Sequence, residues 1–207
     1  MSNTAKVDAY IAEQMTKLQD NPQCANTHYN LGMGFLTKRM FKEAEESFLK
    51  AVDCSSKLVE AYVQLGGIAM QRGDLEGCLH YNEIAAKNMP LFPVPYANMG
   101  FVHMQRGNVD EAIKAFKQAI KKDANFVQAI ASLGGALYMK GDLDESESYS
   151  KRALEIEANF GPALNNLALV ELERGNHAKA REYVEQARKT GFEAPEGLLK
   201  ELEAHGA

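Results

Sequence analysis

The stretch CLHYNE places three potential metal ligands, Cys78, His80 and Glu83, on neighbouring turns. Zinc would need one or two further ligands at matching spacing, and none stands nearby. The cysteines, Cys24, Cys54 and Cys78, are odd in number and lack metal-like spacing, so reduced thiols in packing positions are expected. The pairs Gly66-Gly67 and Gly134-Gly135 invite a phosphate-cradle reading. No GxxxxGKS/T motif exists, however, and no GxGxxG follows a strand-like run. GxSxG, HExxH and CxxC are also absent, so no catalytic residue is expected. The run DLDESESYS, Asp142 to Ser150, could take phosphate, but Ser146 and Ser150 fall where core residues are expected. The sequence therefore predicts a non-enzymatic protein with no cofactor and no metal.

The elements that would position any site are helical. Apolar residues recur at helical spacing, and the glycines of RGD, RGN, KGD and RGN, Gly73, Gly107, Gly141 and Gly175, stand 34 residues apart. One more step back lands on Arg39. The frame gives five blocks, 25–58, 59–92, 93–126, 127–160 and 161–194. A chain of 207 residues with 45% hydrophobic content can bury a substantial core. Its net charge of -5, from 23 Lys plus Arg against 28 Asp plus Glu, offers no electrostatic footprint for nucleic acid or an anionic membrane. With no basic leader followed by an apolar stretch, and no run of about 18 apolar residues, a cytoplasmic protein without membrane insertion is expected.

Each block carries an LG-type step: Leu31-Gly32, Leu65-Gly66, Met99-Gly100, Leu133-Gly134 and Leu167-Ala168. Small residues follow in the second half of each block, among them Ala51, Ala85, Ala119, Ala153 and Ala187. In these motifs the sequence resembles the tetratricopeptide repeat (TPR) family over about nine-tenths of its length. The resemblance implies an all-α, right-handed superhelix of antiparallel helix pairs stacked as a solenoid. Residues 1–24 read as a half-repeat, with Val7, Tyr10, Ile11, Met15 and Leu18 at helical spacing, and 195–207 as a capping helix. MPLFPVPY places Pro90, Pro93 and Pro95 around a helix start, but the period runs through it, so 1–207 is expected to form a single TPR domain.

With residues numbered from the start of each block, slots 4, 7, 8 and 11 of the first helix form the stripe that packs on the second helix. His28 and His103 occupy two of its aromatic slots and are expected to pack there. Slots 5, 9 and 12 form another stripe, which the resemblance places along the concave groove. Slot 5 includes Tyr29 and Val63; slot 12 includes Met70, Met104 and Tyr138. Slot 9 reads Met33, Gly67, Phe101, Gly135, Leu169, large and absent in alternation. Slot 6 carries Asn30, Gln64, Asn98, Ser132 and Asn166. By resemblance to the asparagine ladders of some TPR superhelices, this row would grip the backbone of a peptide, since an amide offers both donor and acceptor. The second and fourth blocks also share Cys78/Ser146 where the other blocks have alanine, and Asn82/Ser150 where the first and third have phenylalanine.

The expected function is that of an adaptor binding a protein or peptide partner in an apolar, methionine-containing groove. Side chains of the partner would enter notches at Gly67 and Gly135, with Phe101 as a wedge. A carboxylate clamp for acidic tails is not expected, because slots 2 and 6 hold no Lys or Arg. Two alternatives stand beside this reading. One is a structural scaffold in which the half-repeat of one copy docks in the groove of another to build a homo-oligomer. The other is a chaperone masking an apolar segment of a secreted or membrane client.

Overall fold

The computed structural model describes residues 3–204, with side chains from residue 4. Among these residues there are twelve helices and no strand. They are α1 (Asn3–Asp20), α2 (Ala25–Thr37), α3 (Phe41–Cys54), α4 (Val59–Gln71), α5 (Leu75–Asn88), α6 (Pro93–Gln105), α7 (Val109–Lys122), α8 (Val127–Lys140), α9 (Leu143–Ile156), α10 (Gly161–Glu173), α11 (His177–Lys189) and α12 (Glu196–Ala204). Five helix pairs, α2–α3 to α10–α11, begin at the first residue of each 34-residue block. The fold is all-α, a succession of helix pairs.

Backbone conformation sets the period. Each first helix ends in a reversal whose key residue has positive φ: Gly73 at 79°, Gly107 at 74°, Gly141 at 86° and Gly175 at 77°. A side chain at such an angle crowds the following carbonyl, so glycine is preferred. The first pair makes the same turn with Arg39, at φ 58°, the one non-glycine residue with positive φ among those described. Asp74 then caps α5 by accepting from the Gly77 amide at 2.8 Å, and Asp142 caps α9 by accepting from the Glu145 amide at 3.3 Å.

The chain divides into two compact units, Met1–Asn98 and Met99–Ala207, with the boundary inside α6. In the first unit α1 packs on α2, and α3 packs on both α2 and α4. Its core gathers Ala44, Phe48, Ala51, Ala61, Leu65 and Ile68. α1 turns Ile11 and Gln14 inward and leaves Tyr10 and Met15 exposed. Part of the apolar stripe expected from its spacing therefore lies open, because the half-repeat has only α2 to cover it.

In the second unit α8 packs on α7 and α9, while α10 packs on α8, α9 and α11. Phe116 anchors one cluster with Leu133 and Leu137. At the far end Leu198 and Leu202 of α12 close over Ala168, Leu172 and Ala180. The clusters thus draw side chains from neighbouring pairs as well as from within a pair.

Candidate peptide-binding face

The two glycines of each pair meet different surroundings. A Cβ on Gly66 would stand 2.3 Å from Asn82 Nδ2, and one on Gly134 would stand 2.6 Å from Ser150 Oγ. In the first and third repeats the corresponding Gly32 and Gly100 lie under the rings of Phe48 and Phe116, with 2.6 Å to a would-be Cβ. These are close-approach glycines. At Gly67, by contrast, nothing lies within 4 Å of a would-be Cβ, and the residue is exposed. At Gly135 a Cβ would rest in ordinary contact, 3.4 Å from Asn166 Oδ1. The Gly67 notch is open, whereas the Gly135 notch is floored by an asparagine of the next repeat.

That asparagine leads to a feature the sequence did not reveal. Asn166 is 8% exposed and its Nδ2 donates to the Ala131 carbonyl at 2.8 Å. Asn98 Nδ2 likewise donates inward, to Asn82 Oδ1 at 2.9 Å, while Asn82 Nδ2 donates to the Cys78 carbonyl at 2.8 Å. Asn82 is fully buried, so these bonds settle an amide that would otherwise be costly there. Slot 6 thus divides. Asn98 and Asn166 spend their donors inside the solenoid, while Asn30, Gln64 and Ser132 are half-exposed and make no side-chain hydrogen bond to the described residues. A polar residue in a core slot, Asn82, was the available signal that the next asparagine turns back.

The apolar positions also sort by depth. Phe101 is 37% exposed and meets Phe116 edge-on, with ring centroids 5.4 Å apart. Met33 packs on the first-unit core and lines a cleft with Val7 and Tyr10 of α1, and Met104 packs on the cluster around Phe116. Val63 and Met70 are half-buried, and Leu169 leans on the cluster around Leu198. Tyr138 is half-buried and donates to Glu173 Oε1 at 3.1 Å. Burial first, and then Glu173, push its phenol up to about 12.

Other candidates are dispersed. Cys78 is buried while His80 and Glu83 are exposed, and no described group of His, Cys, Asp and Glu could hold a metal ion. Ser146 and Ser150 are both fully buried. His28 is buried, its Nε2 2.8 Å from the Pro22 carbonyl oxygen. Glu171, in the apolar slot 11, is buried as well. Burial alone would raise its carboxyl, but hydrogen bonds from Lys179 and Asn176 outweigh that and hold it low. Among the described residues no helix is long and apolar enough to cross a membrane.

Helix pairs stacked in register, with a mixed apolar and amide face along their first helices, define the class: an α-solenoid that presents a surface. A family model described as tetratricopeptide repeat matches residues 127–190, and one described as TPR repeat matches 95–141. The chain is a tetratricopeptide-repeat protein. No curated protein matches it by sequence.

Among solved structures, a crystal structure of MamA is 27% identical over 76% of this chain and 96% of that one, with a TM-score of 0.66. The APC/C hetero-tetramer Cut9-Hcn1 superposes with a TM-score of 0.83 at 16% identity, over 98% of this chain. The chain spans only 40% of that protein's length. YrrB, described as a TPR protein with an unusual peptide-binding site, is 19% identical over 94% of this chain and 98% of that one, with a TM-score of 0.69. The repeat family is generally a non-catalytic interaction scaffold.

Proposed function

We propose that the chain is a non-enzymatic adaptor that holds a segment of a partner protein along the first-helix faces of its repeats. The observation that carries this reading is Gly67. A glycine inside a helix costs roughly 1 kcal/mol relative to alanine. Gly66 offsets that cost through close packing, but no neighbour of Gly67 needs the space above it. A ligand side chain seated in that space gives the residue a reason.

Met33, Val63 and Met70 supply adaptable apolar contact in the first unit; Phe101, Met104, Tyr138 and Leu169 supply it in the second. Asn30, Gln64 and Ser132 have amide or hydroxyl groups free to meet a peptide backbone. Asn98 retains a half-exposed side chain, whereas Asn166 serves as the floor of the Gly135 notch. The general role of the repeat family and the peptide-binding description of YrrB point the same way.

The test is selection of a random peptide library on the immobilised full chain, followed by affinity measurement with the Gly67→Leu/Gly135→Leu variant. Both substitutions remove a helical glycine, so helicity is retained. Binding of the selected peptides should fall at least about tenfold, which corresponds to about 1.4 kcal/mol. Equal affinity for the double variant would end the notch reading.

A further inference from the structure

The geometry points to a basic side chain in the ligand, a Lys or Arg flanked by apolar residues, whose cation seats on the Tyr138–Glu173 pair of the second unit. This deepens the peptide-binding reading and rests on it.

Charge is distributed unevenly between the two helix layers. The chain has 23 Lys plus Arg, yet the first helices α2, α4, α6, α8 and α10 contain one, Lys140. That residue is bonded to Asp110 of α7 at 2.6 Å. Three of the cations just beyond these helices are engaged in the same direction. Lys38 bonds Asp8, Arg72 bonds Glu45, and Arg174 bonds Asp144 and Glu147, all on the second-helix layer or the half-repeat helix.

Three carboxylates stand on the first helices, Glu60, Glu171 and Glu173. Glu171 is turned inward and neutralised by Lys179. Glu60 and Glu173 are exposed and have no ion-pair partner among the described residues. The ligand-facing layer is therefore neutral to acidic and lacks a free cation, so it complements positive charge.

Glu173 is also more than a solvated carboxylate. Tyr138 of the preceding repeat donates to it, which fixes one oxygen and places an aromatic ring beside the charge. A carboxylate held at the hydroxyl end of a tyrosine suits an ammonium or guanidinium group, which pairs with the carboxylate while its apolar stem lies along the ring. Gly135, on the same helix as Tyr138 and one turn before it, lacks a side chain that would cover the approach. The first unit also has a tyrosine near a carboxylate of the next repeat, with no hydrogen bond between them. Tyr29 is half-buried, and after burial itself the charge of Glu60 in the next repeat raises its phenol.

The experiment uses the library selection on the full chain and adds Glu173→Gln and Glu173→Lys, changes at an exposed side chain. Selected peptides should share a Lys or Arg beside apolar residues and bind Glu173→Gln about tenfold more weakly at low salt. The difference should shrink as salt approaches about 1 M, where the screening length is about 3 Å. Replacing the basic residue of the peptide by Glu should restore binding to Glu173→Lys. Peptides that lose binding to Gly67→Leu/Gly135→Leu, but carry no basic residue or ignore Glu173→Gln, would overturn this inference and leave the groove reading standing. If no selected peptide depends on the two glycines, the groove reading fails and the inference falls with it.

Discussion

Arg39 shows how much one residue can disclose. It sits where four later turns place glycine, and its φ of 58° means the turn is made regardless of the side chain. The strain of such a conformation is about 1–2 kcal/mol for a side-chain-bearing residue. Arg39→Gly should therefore stabilise the protein by about 1 kcal/mol, read as a melting point higher by about 2–4 °C. The glycine pair behaves oppositely at its two positions. Gly67→Ala should raise the melting point through helix propensity alone, while Gly66→Ala should lower it, because its Cβ would strike the buried and doubly bonded Asn82. Melting curves of the two single variants separate packing glycine from surface glycine. The sequence made the difference legible as a pattern, since Gly67 and Gly135 recur 68 residues apart. It could not show that Asn166 floors one notch, because nothing in an asparagine's identity tells which way its amide turns.

Between elements, the repeats are tied by ion pairs from the end of a first helix to the second helix before it. Arg174 donates to Glu147 at 2.5 Å and to Asp144 at 2.5 Å, and Lys151 also bonds Glu147. The hydrogen bonds from Lys151 and Arg174 hold the Glu147 carboxyl at about 2, against an ordinary 4.5. Because the folded value is depressed, the stabilisation is complete above about pH 4.5 and is lost as pH falls toward 2. Glu147→Gln should lower the melting point at neutral pH and flatten its fall across that window, as followed by circular dichroism. The basic residue of RGD, RGN and KGD was visible at every turn, but its acidic partner lies about 30 residues earlier, and a period search registers likeness rather than complementarity. The Tyr138–Glu173 contact escaped for a related reason. Glu173 lies one position beyond the stripe at slot 12, and only stacking of α10 on α8 brings it to the phenol.

For the whole molecule, the 34-residue recurrence made the architecture readable, because helix reversals that need positive φ write glycine into the sequence at a fixed interval. The division after Asn98 was not readable from it, since the period passes unbroken through α6. Likewise, buried Glu171 and the exposed Tyr10 and Met15 depend on which neighbours cover each helix, and periodicity within one helix does not encode that. In the proposed function the chain is a binding surface whose first helices sacrifice helix stability at Gly67 to leave room for a ligand. The direct measurement is fluorescence anisotropy of one selected peptide against wild type and Gly67→Leu/Gly135→Leu, with melting curves of both. Affinity lower by at least about tenfold, with an equal or higher melting point, is the predicted result. Undiminished affinity in a folded double variant would contradict it.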